Sequence, residues 1–281
     1  METIKIGIVG IGAISGIYLD NITNRFREME IVGVCDLIRE RAEKAVEKYN
    51  IPHLYETMYD LFADDSIDIV LNLTRPYEHF DVSKAALEAG KHVYSEKPLA
   101  ASLDEGKQLV ALAQEKGLLI GGAPDTFMGA GIQTCRKLID DGFIGQPVGA
   151  AAFMIGHETW HPDPAFYYQY GDGPMMDMGP YYLTALVNLL GGVSGVTGIA
   201  KSSFPTRLIT SKPHYGEVAQ VGPGGRKGVP HQHRLPSWTA CHAPRVHPHH
   251  LPQVGRLPLC QGILLHRCRL RHRHADYSHR H

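Results

Sequence analysis

Acidic residues almost disappear from the end of this 281-residue chain: residues 219–281 hold one, Asp276, against ten Lys and Arg. The first 218 residues hold 28 against 18, so the formal net charge of −1 averages an acidic part and a basic part. Periodicity is missing from the same tail, where Pro223, Pro230, Pro236, Pro244, Pro248, Pro252 and Pro258 interrupt any helix or central strand. No apolar run reaches the ~18 residues needed to cross a bilayer. Cysteine is scarce, 5 in all, which excludes a small disulfide scaffold. Glu2 and the single Lys5 ahead of the apolar stretch Gly7–Leu19 do not make a secretory leader, so a cytoplasmic location is expected. The tail's His249, His250, Cys260, His266 and Cys268 lack zinc-finger spacing, and its basic residues lack interleaved aromatics. Neither a metal nor a nucleic acid is therefore expected as a partner.

What is present comes first in the chain. Ile4–Val9, Ile31–Cys35, Ile67–Asn72, His92–Ser95 and Leu118–Ile120 are short apolar runs. Stretches of helical spacing or propensity lie between them at Ile14–Phe26, Arg39–Tyr49, Tyr77–Ala89 and Leu103–Lys116. Strands that are apolar throughout and alternate with helices predict a parallel sheet covered on both faces, an α/β doubly wound Rossmann arrangement over residues 1–122. Residues 123–218 read as a truncated α+β domain: a helix over Gly129–Asp141, a strand over Val148–Ile155, a loop over Pro162–Gly173, a helix over Asp177–Leu190 and a strand over Val196–Phe204. Residues 219–281 form an irregular basic His/Pro/Arg-rich tail. The joint rise in His, Arg, Pro and Cys, with loss of acids and periodicity, points to a reading-frame shift near Val218–Gln220.

The first strand runs into Gly10-Ile11-Gly12-Ala13-Ile14-Ser15, which opens the first helix. The first glycine permits a tight turn, and the second lets backbone approach a pyrophosphate. Ser15 is small enough for helix–sheet packing. The helix N-terminus favours the anion. With strand before, helix after and Asp36 ending the second strand, the context of a dinucleotide site is met. Asp36 suits the adenosine ribose hydroxyls and repels a 2′-phosphate, which favours NAD, while Arg39 close by keeps NADP open.

Four blocks carry a family resemblance. They are Gly10-x-Gly12 with Asp36; Asn72-Leu73-Thr74-Arg75-Pro76-Tyr77-Glu78-His79; Ala89-Gly90-Lys91-His92-Val93-Tyr94-Ser95-Glu96-Lys97-Pro98; and Gly171–Gly191 with Asp177-Met178-Gly179-Pro180-Tyr181. Over residues 4 to about 218 the chain resembles the glucose–fructose oxidoreductase, inositol dehydrogenase and rhizopine-catabolism (Gfo/Idh/MocA) oxidoreductases. The resemblance implies an NAD(P)-dependent dehydrogenase that moves a hydride between a hydroxyl of a sugar, inositol or related polyol and the nicotinamide. It implies Lys97 as the proton-transfer residue, with partial burial and the nicotinamide cation favouring its neutral amine form. It implies Asp177 orienting Lys97 or substrate, and Tyr181, where the family most often has His, as a proton or hydrogen-bond donor to the substrate oxygen. Glu96 matches a position lining the nicotinamide pocket, and Asn72, Thr74 and His79 match the turn beside the cofactor. Trp160 and His161 would line the sugar pocket. The alternative is a non-catalytic nucleotide- or sugar-sensing protein of the same fold. Loss of the rest of the sheet would impair catalysis and the family's homo-oligomer.

Overall fold

The computed structural model describes residues 3–154, 173–198 and 205–220. The chain divides into two compact units, residues 1–125 with 169–180 and residues 126–168 with 181–281. No helix among the described residues is long and apolar enough to cross a membrane.

The first unit is a six-stranded sheet. Its elements are β1 (Ile4–Val9), α1 (Ser15–Asn24), β2 (Met29–Cys35), α2 (Arg39–Tyr49), β3 (His53–Leu54), α3 (Met58–Phe62), β4 (Ile69–Asn72), α4 (His79–Glu88), β5 (His92–Ser95), α5 (Leu103–Lys116) and β6 (Ile120–Gly122). The strand order is β3-β2-β1-β4-β5-β6 and every pairing is parallel. The order reverses between β1 and β4, which places a ligand crevice at the carboxyl ends of those strands.

Side chains that alternate along each strand feed two separate cores. Ile8, Val34 and Leu71 pack with Leu19 and Ile22 of α1 and Ala42 and Ala45 of α2. Val9, Cys35 and Val70 pack with Phe62 of α3, Val82 and Leu87 of α4 and Leu109 of α5. The buried positions of α4 are His79, Val82, Ser83, Ala86 and Leu87, a stripe at helical spacing that includes two polar residues. Leu109 has no solvent exposure. Its truncation to Ala would cost about 2–5 kcal/mol, because the packed neighbours cannot fully close the cavity.

Two expectations for this unit shift in detail. The last strand begins at Ile120, not Leu118: the Leu118 N–H closes α5 on the Ala113 carbonyl, and the Leu119 N–H donates to His92 Nδ1, 3.0 Å away. The short β3 and α3 were not foreseen. Two residues and five residues are too few to show a period, although Thr57 and Asp60 form a full capping box on α3.

The second unit contains α6 (Ala130–Asp140), most of α8 (Gly179–Leu190) and the antiparallel pair β7 (Thr206–Leu208) and β8 (Val218–Gln220). The Arg136 guanidinium of α6 donates to the Asn188 carbonyl of α8. The strand expected over Val148–Ile155 does not form in residues 148–154, and Val148 is fully exposed. The apolar run has no partner strand among the described residues. Residues 196–198 likewise carry no strand, and 199–204 lie outside the described residues. The single helix expected over Asp177–Leu190 is two: α7 (Pro174–Asp177), in the first unit, and α8. Pro180 has no N–H to continue the ladder, and it suits the first turn of a new helix.

Candidate active site

The phosphate turn is built around two glycines that do different work. Gly10 has φ +96°, and a Cβ there would lie 2.8 Å from the Leu73 carbonyl carbon and oxygen and 2.9 Å from Thr74 N. Only glycine lets β1 exit this close to the β4 turn. A Cβ on Gly12 would meet nothing within 4 Å. Ala13 and Ile14 are exposed, and no side chain caps α1 at its N-cap Ile14. α2 and α4 also lack side-chain caps, so the glycines around it give the α1 terminus its meaning. An open surface of backbone at a helix N-terminus, beside the strand-order reversal, fits a dinucleotide pyrophosphate.

Asp36 follows β2. One carboxylate oxygen accepts from the Ile11 N–H at 2.5 Å and the other from the Ile38 N–H at 2.7 Å. The same carboxylate thus ties the phosphate turn to the start of α2. Arg39 donates to Glu43 at 2.9 Å and also pairs with Glu56, so its guanidinium is held among carboxylates.

Asn72 and His79 lie in the interior. Asn72 is fully buried: its amide donates to the His79 carbonyl (3.0 Å) and Ser83 Oγ (2.9 Å), and its oxygen accepts from Thr74 Oγ1 at 2.6 Å. His79 is 1% exposed. Its Nδ1 lies 2.6 Å from the Pro98 carbonyl and its Nε2 3.0 Å from the Thr74 carbonyl. Burial holds the imidazole below the ordinary histidine range. A neutral ring has one N–H for two acceptors, and the shorter contact assigns it to Nδ1. Asn72, Thr74 and His79 thereby join the β4 turn to the turn after β5.

That second turn carries Glu96 and Lys97. Lys97 Nζ donates to Asp177 Oδ1 at 2.5 Å and to the Asp177 carbonyl at 2.9 Å. The two side chains are 14% and 13% exposed. The sequence separates them by 80 residues, and the first unit brings them together. Glu96 is 9% exposed and accepts from Tyr18 Oη at 2.6 Å and from the Lys97 N–H at 3.0 Å. Burial and the adjacent Glu96 carboxylate push the Tyr18 phenol far above its ordinary range. Sequence reading missed Tyr18. Its only signal was a polar-tipped residue on the inner side of a helix that opens from a phosphate turn. Tyr181 lies in the first turns of α8, in the second unit, where its carbonyl accepts from Thr184 Oγ1. Trp160 and His161 lie outside the described residues.

A family model described as an oxidoreductase family with an NAD-binding Rossmann fold, GFO_IDH_MocA, matches residues 4–122. The model of the GFO/IDH/MocA C-terminal domain matches residues 132–222. The inositol 2-dehydrogenase of Salmonella typhimurium is 36% identical over 153 residues, 52% of this chain and 44% of that protein. The chain thus spans less than half the length of this curated relative. An uncharacterized oxidoreductase of Schizosaccharomyces pombe is 26% identical over 271 residues, 92% of this chain and 63% of that protein, so the alignment reaches into the basic tail. Among solved structures, KijD10, a 3-ketoreductase from Actinomadura kijaniata in complex with NADP and TDP-benzene, is 26% identical. It has a TM-score of 0.63 over 70% of this chain and 60% of that one.

Proposed function

The chain belongs to the Gfo/Idh/MocA oxidoreductases, its first domain is the family's NAD-binding Rossmann domain, and from that premise we propose that it derives from a dehydrogenase acting on a CH–OH group of a sugar, inositol or related polyol. The observation that carries the reading is the Lys97–Asp177 pair, 2.5 Å apart beside the carboxyl edge of the sheet. The turn Gly10–Ile14 would hold the pyrophosphate, with Asp36 toward the adenosine ribose and Glu96 toward the nicotinamide end. When bound, the nicotinamide supplies the hydride acceptor.

The chain's own chemistry is proton transfer. In the oxidising direction the substrate hydroxyl gives its proton to the Lys97 amine while the carbon gives up its hydrogen with the bonding pair, leaving a carbonyl. In the reducing direction the Lys97 ammonium returns the proton to the forming alkoxide. Asp177 accepts two hydrogen bonds from Nζ and so orients the amine. By resemblance alone, Tyr181 is assigned a donor role toward the substrate oxygen.

The reading is tested by NAD reduction at 340 nm against a panel of inositols and sugars, with Lys97→Ala as control. Turnover that survives Lys97→Ala would sink it. In a frame-restored protein, dinucleotide binding without turnover on any substrate would favour the sensor.

The family-model match ends at residue 222, close to where the charge balance turns from acidic to basic, although the alignment to the Schizosaccharomyces pombe oxidoreductase runs past it. We infer that residues 219–281 come from another reading frame and that this weakens turnover. Sequencing the locus decides this: an intact frame with no better-patterned alternative removes the inference. A frame-restored protein should be the more active one.

A further inference from the structure

We propose that Tyr18 is a positioning residue for Lys97, acting through the Glu96 carboxylate; the proposal rests on Lys97 being the proton-transfer residue. Three observations carry it. Tyr18 sits on α1, the helix that opens from the phosphate turn, and its hydroxyl donates to Glu96 Oε1 at 2.6 Å. The other oxygen of the same carboxylate accepts the Lys97 backbone N–H at 3.0 Å. Glu96 is 9% exposed, so water does little to satisfy or orient it.

Each end of this chain of bonds is fixed. Tyr18 lies one residue before Leu19, which is packed in the core beneath α1. The Glu96 N–H donates to the Asn72 carbonyl at 2.9 Å, so its backbone continues the β4–β5 ladder. What the sheet does not fix is the carboxylate, which could turn about its side-chain torsions and release the Lys97 amide. The phenol holds it in one rotamer. A phenol–carboxylate bond is charge-assisted and short, and it is stronger in a site shielded from water. Lys97 then leaves the strand in the direction that brings its Nζ to Asp177. Tyr94 and Asp125 lie near enough to act on the Tyr18 phenol electrostatically, and both favour its protonated form. Tyr18 is therefore kept protonated, as a donor to Glu96.

The test is Tyr18→Phe, which removes one oxygen and leaves the ring that packs against the core beneath α1. The first readout needs no activity. The full-length protein is acetylated with a lysine-selective reagent, and labelling rates at each lysine are followed by mass spectrometry. In Tyr18→Phe, Lys97 should label at least fivefold faster than in the wild type. Lys91, buried on the Asp64 and Ile67 carbonyls, should stay within twofold. The second readout is steady-state kinetics: kcat falls about tenfold or more while KM for NAD changes by less than threefold. In a Glu96→Gln background Tyr18→Phe should add little to either effect.

Lys97 labelling unchanged within twofold overturns the proposal. So does a parallel rise at Lys97 and Lys91, which would mean general loosening of the domain. If the wild type binds no NAD and turns over no polyol, the dehydrogenase reading fails by itself, and the labelling result still decides what Tyr18 does to Lys97.

Discussion

Substituting alanine at Gly10 and at Gly12 should have opposite consequences, although the two glycines stand one residue apart in one motif. At Gly10 an L-residue must take φ near +96°. That costs about 1–2 kcal/mol. Its Cβ would also sit 2.8 Å from the Leu73 carbonyl carbon and oxygen, which are backbone atoms of the neighbouring turn and cannot rotate away. Forcing them apart adds roughly 1–3 kcal/mol. Gly10→Ala should therefore lower unfolding stability by about 2–5 kcal/mol, with or without dinucleotide. At Gly12 the backbone is unstrained and the Cβ enters open space. Gly12→Ala should leave stability within about 0.5 kcal/mol, or raise it slightly by restricting the unfolded chain.

Binding should show the reverse. The added methyl at Gly12 occupies the approach of the pyrophosphate, so NAD affinity should drop at least tenfold. The assay is urea unfolding followed by circular dichroism, paired with NAD titration by protein fluorescence, on the same preparations. NAD binding by Gly12→Ala within threefold of the wild type would refute the placement of the pyrophosphate at this turn. A fully stable Gly10→Ala would refute the close approach of the β1 and β4 turns.

Four further outcomes follow from the structure. A double-mutant cycle of Lys97→Met and Asp177→Asn should give a coupling of about 1–3 kcal/mol in urea unfolding, since both groups are largely withdrawn from water but not fully buried; coupling indistinguishable from zero would mean that the contact does not persist in solution. The same Asp177→Asn change should cut kcat/KM for polyol oxidation by roughly 10- to 100-fold, through loss of alignment at Nζ. His79 is held neutral by burial, so the unfolded chain binds the proton more readily. Its contribution to stability is complete above the unfolded value of ~6.5 and is lost as the pH falls below it. His79→Gln should flatten that acid-side loss between pH 7.5 and 5.5, measured as the urea midpoint, and parallel profiles for the two proteins would contradict it. Glu43→Gln with Glu56→Gln should release Arg39 and improve NADP affinity relative to NAD by about two- to fivefold, a modest change because the pairs are exposed. An unchanged ratio would show that Asp36 alone sets the preference.

The residues that could be placed from sequence are those whose role is local or periodic. Ile8 and Val9 face opposite cores because a strand alternates, and the Gly10–Ile14 turn lies where strand and helix signals meet. Gly117 closes α5 in the left-handed region, as a glycine after a periodic run should. Lys97 and Asp177 could be named as partners only through resemblance, because 80 residues separate them and no period connects α7 to β5. The β4 turn is the instructive case. The family resemblance placed Asn72, Thr74 and His79 beside the cofactor, and their turn lies at the carboxyl edge of the sheet, yet the Asn72 and His79 side chains point inward and bond to the β4 turn, to α4 and to the Pro98 carbonyl. A pattern can locate a polar residue at a strand end, but burial decides which way it faces, and burial depends on neighbours far away in the chain. A fully buried amide or imidazole cannot touch a dinucleotide through its side chain without leaving the core. Any contribution of these two residues to binding must therefore pass through the backbone they hold: the Thr74 N–H, which donates to Asn72 Oδ1, on one side and the Pro98 carbonyl, next to Lys97, which accepts from His79 Nδ1, on the other.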